Sequence, residues 1–371
     1  MKKNKEAYAV VMAGGRGERF WPQSRLASPK QLLRLLGNLT LIEQTIDRLM
    51  DTFLPENILI VTNEMYVDPM RKLISGIAPE NIIGEPCSRD TAPCMAASAS
   101  YIRVLSDAED PILCFLPSDH MIEDHDAFAN VLSDSMDFAA SSPSSIVTLG
   151  IKATEPQTGY GYIKAGERFS GRDGENRTVF CKGDGFFEKP SLATAKEYVE
   201  EGSYFWNAGI FVMRSSALKS AVRTAAPELA DFMDLAEDIF ARDGLDSEVV
   251  RKPYENLKSV SVDYAVMENI SDIVVALAEF DWDDVGSWTS LRSQIEPSEN
   301  NNIVKALHKG IQTENCIIVG DSQKLIATLN VKDLVIVDTE DALLVCDAGS
   351  AQHIKELVRQ LAADPELKKF V

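Results

Sequence analysis

The sequence predicts an α/β protein with a mainly parallel sheet, followed by a few coils of a β-helix. Three observations predict this. Apolar runs of strand length alternate with amphipathic helical stretches over most of the chain. The first such run ends abruptly in a glycine-rich turn, as strands do at the edge of an open parallel sheet. Past the polar stretch at 297–302 (PSENNN), short apolar strands recur at regular spacing with polar or Gly/Asp tips. That stretch is the clearest linker, so the expected domains are 1–296 and 297–371.

The elements follow in order. Ala9-Val10-Val11-Met12 reads as a buried central strand, and residues 40–51 as an amphipathic helix with Leu41, Ile42, Thr45, Ile46 and Leu49 on one side. Residues 57–62 (NILIVT) form a second buried strand, 68–77 a helix and 81–84 a short third strand. The loop EPCSRDTAP, 85–93, leads into an Ala/Ser-rich helix over 94–105, capped near Asp90 or Thr91. Residues 110–116 form a strand, 127–140 a helix, and 145–150 another strand. From 154 to 187 the pattern changes to short strands with charged and glycine turns, as in an antiparallel insertion. A helix over 192–201, a strand over 204–213 and a largely helical stretch over 218–240 follow. Two further segments, 260–270 and 273–280, precede the run DWDDVGSW. In the C-terminal part, 316–319, 325–328, 334–337 and 343–346 are the short strands, and an amphipathic helix over 350–362 closes the chain.

The net charge of −20 excludes a nucleic-acid backbone as partner. No apolar run is long enough to span a membrane, and the start of the chain leads into a strand rather than a signal peptide, so a cytoplasmic protein is expected. Six cysteines show no C-x-x-C spacing, which favours reduced core thiols over zinc ligands or disulfides. Against the acidic background, residues 1–34 hold eight Lys/Arg and only Glu6 and Glu18 as acids. An acidic protein that binds an anion must concentrate its cations locally.

The glycine turn carries that concentration. Gly14, Gly15 and Gly17 are followed by Arg16, Arg19, Arg25 and Lys30, which together describe a cradle for a polyphosphate. The turn is not a dinucleotide fingerprint, because Phe20-Trp21-Pro22 stands where the third glycine is needed, and no Gly-Lys-Ser/Thr of a P-loop is present. An ordinary surface turn with scattered cations is the plain alternative. Asp119 follows one strand and Asp283/Asp284 follow another. Two carboxylates delivered to one sheet edge suit Mg²⁺, which takes one or two carboxylates and fills its other positions with phosphate and water. Taken singly, each such Asp reads equally as a cap or turn residue. Tyr160-Gly161-Tyr162-Ile163 offers flexible backbone and aromatic faces of the kind sugars use. Glu188-Lys189-Pro190 ends a strand, with Lys189 suited to a phosphate and Glu188 to a hydroxyl, or the two to an exposed ion pair. Asn207 sits in Trp206-Asn207-Ala208-Gly209 as a neutral donor and acceptor. Asp263 and Glu268 lie near a helix start, where capping is their simpler role.

Together these stretches resemble the bacterial mannose-1-phosphate guanylyltransferase family of sugar-phosphate nucleotidyltransferases. MAGGRGERFWPQSRLASPKQ, EPCSRDTAP, LPSDHMI, TGYGYI, FEKP, YFWNAGIFVM, SVDYAVMEN and WDDVGSW occur in the family's order. The resemblance implies a Rossmann-like catalytic domain followed by a short left-handed β-helix. It implies the joining of GTP and mannose 1-phosphate into GDP-mannose with release of diphosphate. By the same resemblance, Arg19 and Lys30 match triphosphate-binding cations, and Asp119 and Asp284 match Mg²⁺ ligands. The segment Met12, Ala13, Gly14, Gly15, Arg16 and Gly17, with Glu85, Asp90 and Thr91, matches nucleotide contacts. Tyr160, Gly161, Glu188, Lys189 and Asn207 match the sugar-phosphate side. Glu18 stands where Thr is common, which would place a carboxylate beside the phosphates, and Asp90 stands where Asn is usual.

The expected reaction is an in-line displacement in which a phosphate oxygen of the sugar phosphate attacks the α-phosphorus of GTP. That nucleophile is already an anion, so the scarcity of histidine is no objection. The rivals are a related enzyme using another nucleotide or hexose phosphate, and a non-catalytic subunit that binds GDP-mannose. A homodimer is expected, with the apolar ends of the β-helix coils covered by a second copy.

Overall fold

The computed structural model describes residues 3–169, 178–243, 248–298, 300–320 and 323–371. Packing divides the chain into two units. One comprises Met1–Gly14, Thr45–Ser118 and Ile122–Trp282, and the other Gly15–Gln44, Asp119–Met121 and Asp283–Val371. Each is described by itself.

The first unit is built on one sheet. Its strands are β1 (Ala7–Ala13), β2 (Ile58–Asn63), β3 (Ile82–Glu85), β4 (Ile112–Pro117), β5 (Ile146–Lys152), β6 (Gly161–Arg168), β7 (Val179–Glu188), β8 (Tyr204–Arg214) and β9 (Ile273–Ala278). Their order is β3-β2-β1-β4-β8-β5-β9-β7-β6. β1, β2, β3 and β4 run parallel, as do β5 and β9. β8 enters antiparallel between β4 and β5, and β6 and β7 extend the sheet antiparallel. The parallel centre is thus joined to an antiparallel flank. β1 has neighbours on both sides and six of its seven residues are buried, which is why it reads as a continuous apolar run. The chain passes from β1 to β2 on one side and takes β4 on the other. That reversal puts the crevice for a ligand at the carboxyl ends of β1 and β4.

The helices differ from the sequence expectation where capping and proline decide. α1 (Leu41–Leu49) opens on a reciprocal cap: the Thr40 N–H donates to Glu43 Oε2 at 2.8 Å, and the Glu43 N–H donates back to Thr40 Oγ1 at 3.3 Å. α2 covers Glu64–Leu73 rather than 68–77, because Asn63 accepts from the Met65 N–H and starts it earlier. α3 (Thr91–Leu105) and α4 (His125–Ser141) follow, then α5 (Leu192–Glu201). The single helix read over 218–240 is two, α6 (Ser215–Ala225) and α7 (Pro227–Asp243). Pro227 is set as a first helical residue and excludes helical geometry from Ala226 before it. α8 (Glu248–Glu255) and the short α9 (Val262–Ala265) complete the unit. Part of the expected insertion, 170–177, lies outside the described residues.

The second unit holds α10 (Leu291–Gln294) and strands β10 (Ile303–Lys305), β11 (Leu307–Glu314), β12 (Ile317–Val319), β13 (Leu325–Lys332), β14 (Leu334–Asp338) and β15 (Leu343–Asp347). β10, β12 and β14 stack in parallel, as do β11 and β13, while β15 closes the stack antiparallel. Leu307 pairs with Leu325 and Ile317 with Val335, an 18-residue coil in both cases. Three coil corners, Asn301, Asn315 and Asp333, have positive φ of 56°, 51° and 56°. α11 (Ile354–Ala363) follows. Phe20, Trp21, Leu33, Leu35 and Trp288 share one buried cluster with Ile303, Ile317, Val335 and Val358. The glycine-loop segment and the β-helix therefore form one core. The cysteines are unpaired, four buried and two half-buried. No helix among the described residues is long and apolar enough to cross a membrane.

Candidate active site

In the second unit, three segments far apart in sequence converge. Gly17 has φ 65°, and a Cβ there would lie 2.1 Å from Lys30 Cβ. Only glycine lets the loop fold back over Lys30, whose main-chain N–H donates to Arg16 O at 3.3 Å. Lys30 is thereby buried, 6% exposed. A buried ammonium must be paired. Its Nζ donates to Asp119 Oδ2 and to the main-chain oxygen of Asp284, both at 2.8 Å. Met121 and Asp283 exchange two main-chain hydrogen bonds, 2.9 and 3.1 Å, which tie the Asp119 turn to the Asp284 turn. Burial pushes the Asp119 carboxyl up, but the charges of Lys30 and His120 outweigh it, and Asp119 sits below its ordinary value. It is therefore an anion at neutral pH.

The two aspartates of Asp283-Asp284 divide their work. Asp283 accepts from the Val285 N–H and the Ser293 hydroxyl, each at 2.6 Å, and shapes the turn. The next residue after the pair, Val285, is fully buried with φ 47°, an unfavourable region for a β-branched side chain. Strain of this kind collects at functional turns. Arg19 has a buried Nε without a hydrogen-bond partner among the described residues. A donor left so can take an acceptor from outside the chain. Gly15 has open space where a Cβ would be, and Arg16 is exposed.

One of the expected placements changes. Arg25 is not aimed at a phosphate: it donates to Phe370 O at 2.5 Å and to Pro22 O at 2.6 Å, and pairs with Asp341 at 2.8 Å. Glu18 lines a cavity of about 490 Å³ with Trp21, Ser24, Val358 and Lys368.

In the first unit, the carboxyl end of β1 carries the other part of the expected nucleotide set. Met12 O accepts from the Ser118 N–H at 3.1 Å, and Ala13 O from the Thr62 hydroxyl at 2.9 Å. A Cβ on Gly14 would stand 3.3 Å from Glu85 Oε2, so Gly14 and Glu85 adjoin. Glu85 is buried, and burial pushes its carboxyl up to about 7, against hydrogen bonds from Tyr254 and Cys94 that lower it. Tyr254 donates its hydroxyl to Glu85. Sequence reasoning missed Tyr254, whose helix carries no motif. Asp90, at φ 70°, caps α3 by accepting from the Thr91 N–H at 2.8 Å, and Thr91 Oγ1 accepts from the Val262 N–H at 2.8 Å.

The expected sugar-phosphate residues gather at β6, β7 and β8. Gly161 pairs with Glu188 across β6 and β7, and a Cβ on Gly161 would lie 2.4 Å from Glu188 Oε2. Lys189, at φ 47°, turns back to pair with Glu188, whose side chain is 8% exposed. The Asn207 side chain donates to Asp263 Oδ1 at 3.1 Å and accepts from the Gly209 N–H at 3.0 Å and the Thr148 hydroxyl at 3.2 Å. Asp263 is therefore not the helix cap. Ser261 caps α9, and burial, then the charge of Glu188, pushes the Asp263 carboxyl up to about 6. Tyr160 packs edge-on against Trp206 and Trp282, with centroids 5.3 and 5.2 Å away. The cluster thus offers an ammonium, carboxylates, an amide and aromatic edges in one place.

Known proteins resemble this chain over most of its length. Residues 8–301 match the family model described as Nucleotidyl transferase, and residues 308–361 match the MannoseP isomerase/GMP-like beta-helix domain. The chain is 37% identical over 361 residues to the mannose-1-phosphate guanylyltransferase of Escherichia coli K12, covering 96% of this chain and 74% of that one. It is 36% identical over 377 residues to mannose-1-phosphate guanylyltransferase ManC of Salmonella typhimurium, covering 96% and 73%. A solved structure from Thermus thermophilus, described as a mannose-1-phosphate geranyltransferase, superposes with a TM-score of 0.84 at 32% identity, over 96% of this chain and 99% of that one. The chain belongs to the nucleotidyl transferase family, among its mannose-1-phosphate guanylyltransferases.

Proposed function

We propose that this chain joins GTP and mannose 1-phosphate into GDP-mannose with release of diphosphate. The observation that carries the reading is Lys30, a buried ammonium that meets the Asp119 carboxylate and the Asp284 turn at once. Arg19, with its unpartnered Nε, and Lys30 supply positive charge for a triphosphate. The Met12–Gly17 turn and the Glu85–Thr91 loop hold the nucleotide. Lys189 meets the sugar phosphate, while Glu188 and Asn207, with Asp263 behind it, meet sugar hydroxyls. Tyr160 and Gly161 bound the sugar, with Gly161 leaving room for Glu188.

The chemistry asks little of proton transfer. A phosphate oxygen of mannose 1-phosphate attacks the α-phosphorus, and the bond to the β-phosphate oxygen breaks as diphosphate leaves. The difficulty is bringing two polyanions together, which fixed cations relieve in the transition state. The donor set fits Mg²⁺. Asp119 and Asp284 are hard oxygen donors on adjoining turns, and two carboxylates with phosphate and water complete its usual shell. Bound there, Mg²⁺ would neutralise charge on the phosphate oxygens. Among the described residues no larger Asp/Glu/His/Cys cluster competes as a metal site. The cytoplasm is where such a reaction finds its nucleotide. We also assign the enzyme as a homodimer through the β-helix.

The test is diphosphate release from purified protein across four nucleoside triphosphates and several hexose 1-phosphates. GTP with mannose 1-phosphate is expected to dominate. Lys30→Ala and Asp284→Ala should each lose about 10²–10³ in turnover. Full turnover by either variant with an unaltered Mg²⁺ requirement would sink the assignment, and nucleotide binding without turnover would favour a regulatory subunit.

A further inference from the structure

The loop that carries Arg19 and Lys30 is pinned from behind by the last residues of the chain. Trp21 Nε1 donates to Phe370 O at 2.7 Å, and Arg25 Nη1 donates to the same oxygen at 2.5 Å. Arg25 reaches on to Asp341, in the turn between β14 and β15, at 2.8 Å, and its guanidinium lies 5.7 Å from the Trp21 ring centroid. Its Nε closes back on Pro22 O at 2.6 Å. The guanidinium is thus fully engaged inside the second unit, and the side chain is 17% exposed. Trp21 in turn accepts at its own carbonyl from Trp288 Nε1 at 3.1 Å, four residues after Asp284. Ser24 Oγ donates to Gly17 O at 2.8 Å. One carbonyl, Phe370 O, therefore receives both arms of the loop between Gly17 and Lys30.

We propose that Arg25 and Trp21 are positioning residues for the triphosphate half of the site, acting through Phe370 and Asp341 of the C-terminal segment. The proposal rests on the reading of Arg19 and Lys30 as triphosphate cations. Neither Arg25 nor Trp21 needs to touch the nucleotide. Their bonds fix the loop before the ligand arrives, so that little of the binding free energy goes into ordering it. A loop freed to move by an ångström loses alignment that is worth on the order of 10²-fold in rate. The arrangement also accounts for an arginine inside a cation-rich motif that points away from the phosphates. A planar fork can hold two acceptors at fixed angles, which an ammonium cannot.

The experiment compares Arg25→Gln, Arg25→Lys, Trp21→Phe and Asp341→Asn with the wild-type chain by steady-state kinetics and calorimetric GTP titration. Trp21→Phe removes the indole donor and keeps the ring packing. Arg25→Gln should raise the KM for GTP about tenfold or more and lower kcat, leaving the KM for mannose 1-phosphate within twofold. Trp21→Phe and Asp341→Asn should give the same pattern at several-fold, and Arg25→Lys should fail to restore it. If these variants lower the melting temperature but keep wild-type KM for GTP and kcat, the segment is a structural brace and the proposal is overturned. Should Arg25→Gln not fold, Trp21→Phe and Asp341→Asn decide by the same criterion. A wild-type chain with no turnover of GTP would instead refute the reading of the site on which the proposal rests.

Discussion

Glu85 shows how a single side chain at this site is set by its surroundings. It ends β3 beside Gly14, buried, with Tyr254 donating to it, and burial holds its carboxyl at about 7 against an ordinary 4.5. The native state thus binds this proton more tightly than the unfolded chain does. Its contribution favours the fold below about pH 4.5 and is lost as pH rises through about 7. Glu85→Gln removes the titration and keeps an acceptor for Tyr254. The stability of Glu85→Gln relative to wild type should therefore climb between pH 5 and pH 8, by on the order of 2–3 kcal/mol. Urea unfolding at both pH values reads this directly, and parallel pH profiles would refute the assignment. Asp119 has the opposite sign. Its lowered value means that its contribution is present above the unfolded value and is lost on acidification, as protonation breaks its pair with Lys30.

Among the elements, the β-helix coils depend on corners that break the usual backbone preference. Asn301 donates to Asn315 at 2.8 Å, and Asn315 donates to Asp333 at 2.5 Å, a ladder running up three left-handed corners. Asn and Asp tolerate that region because their short polar side chains bond locally. Asn315→Ala loses both the ladder and the tolerance, and should cost roughly 2–3 kcal/mol. Asn315→Gly loses only the ladder and should cost about 1 kcal/mol. The order of thermal midpoints, wild type above Gly above Ala, checks this, and an Ala variant as stable as the Gly variant would contradict it.

At the scale of the whole molecule, the β11–β13 sheet presents two apolar pairs to solvent. Leu307 faces Leu325 and Ile311 faces Leu329, at 50, 58, 61 and 67% exposure respectively. Lys309, exposed on the same face with Ala327 opposite it, separates the two pairs. Exposed apolar pairs are where a partner surface is sought. The sequence places apolar surface at the coil ends; the structure puts it on this flat side. If a second copy covers it, Leu329→Glu should turn a dimer into a folded monomer in light scattering at micromolar concentration. A monomeric wild type, or a variant that stays dimeric, would rule this surface out as the dimer contact.

Much of this was legible along the chain. β1 reads as a buried run because it lies inside the sheet. The helix starts at Asn63, Asp90, Pro227 and His353 depend on caps and breaks that periodicity does not show, and α8 is not read at all. Asp119, Asp284, Glu188 and Lys189 can be named because each ends or follows a strand within a recognisable motif, and Asn207 because its motif marks it inside β8. Their partners could not be named, because hydrogen bonds between distant segments leave no local trace. Nothing near Arg25 says that its guanidinium goes to Phe370 and Asp341 rather than to a phosphate. Tyr254 lies in a helix without a motif, and only folding brings it to Glu85. Asp263 looked like a cap until Ser261 took that role and Asn207 took the carboxylate. By itself the sequence determined the fold class, the family and the chemical types at the site, since these follow from local periodicity and residue identity. Tertiary structure alone decided which charges meet. An arginine, a lysine or an aspartate has several possible partners, and the one it takes is chosen by burial, where an unpaired charge is too costly to keep.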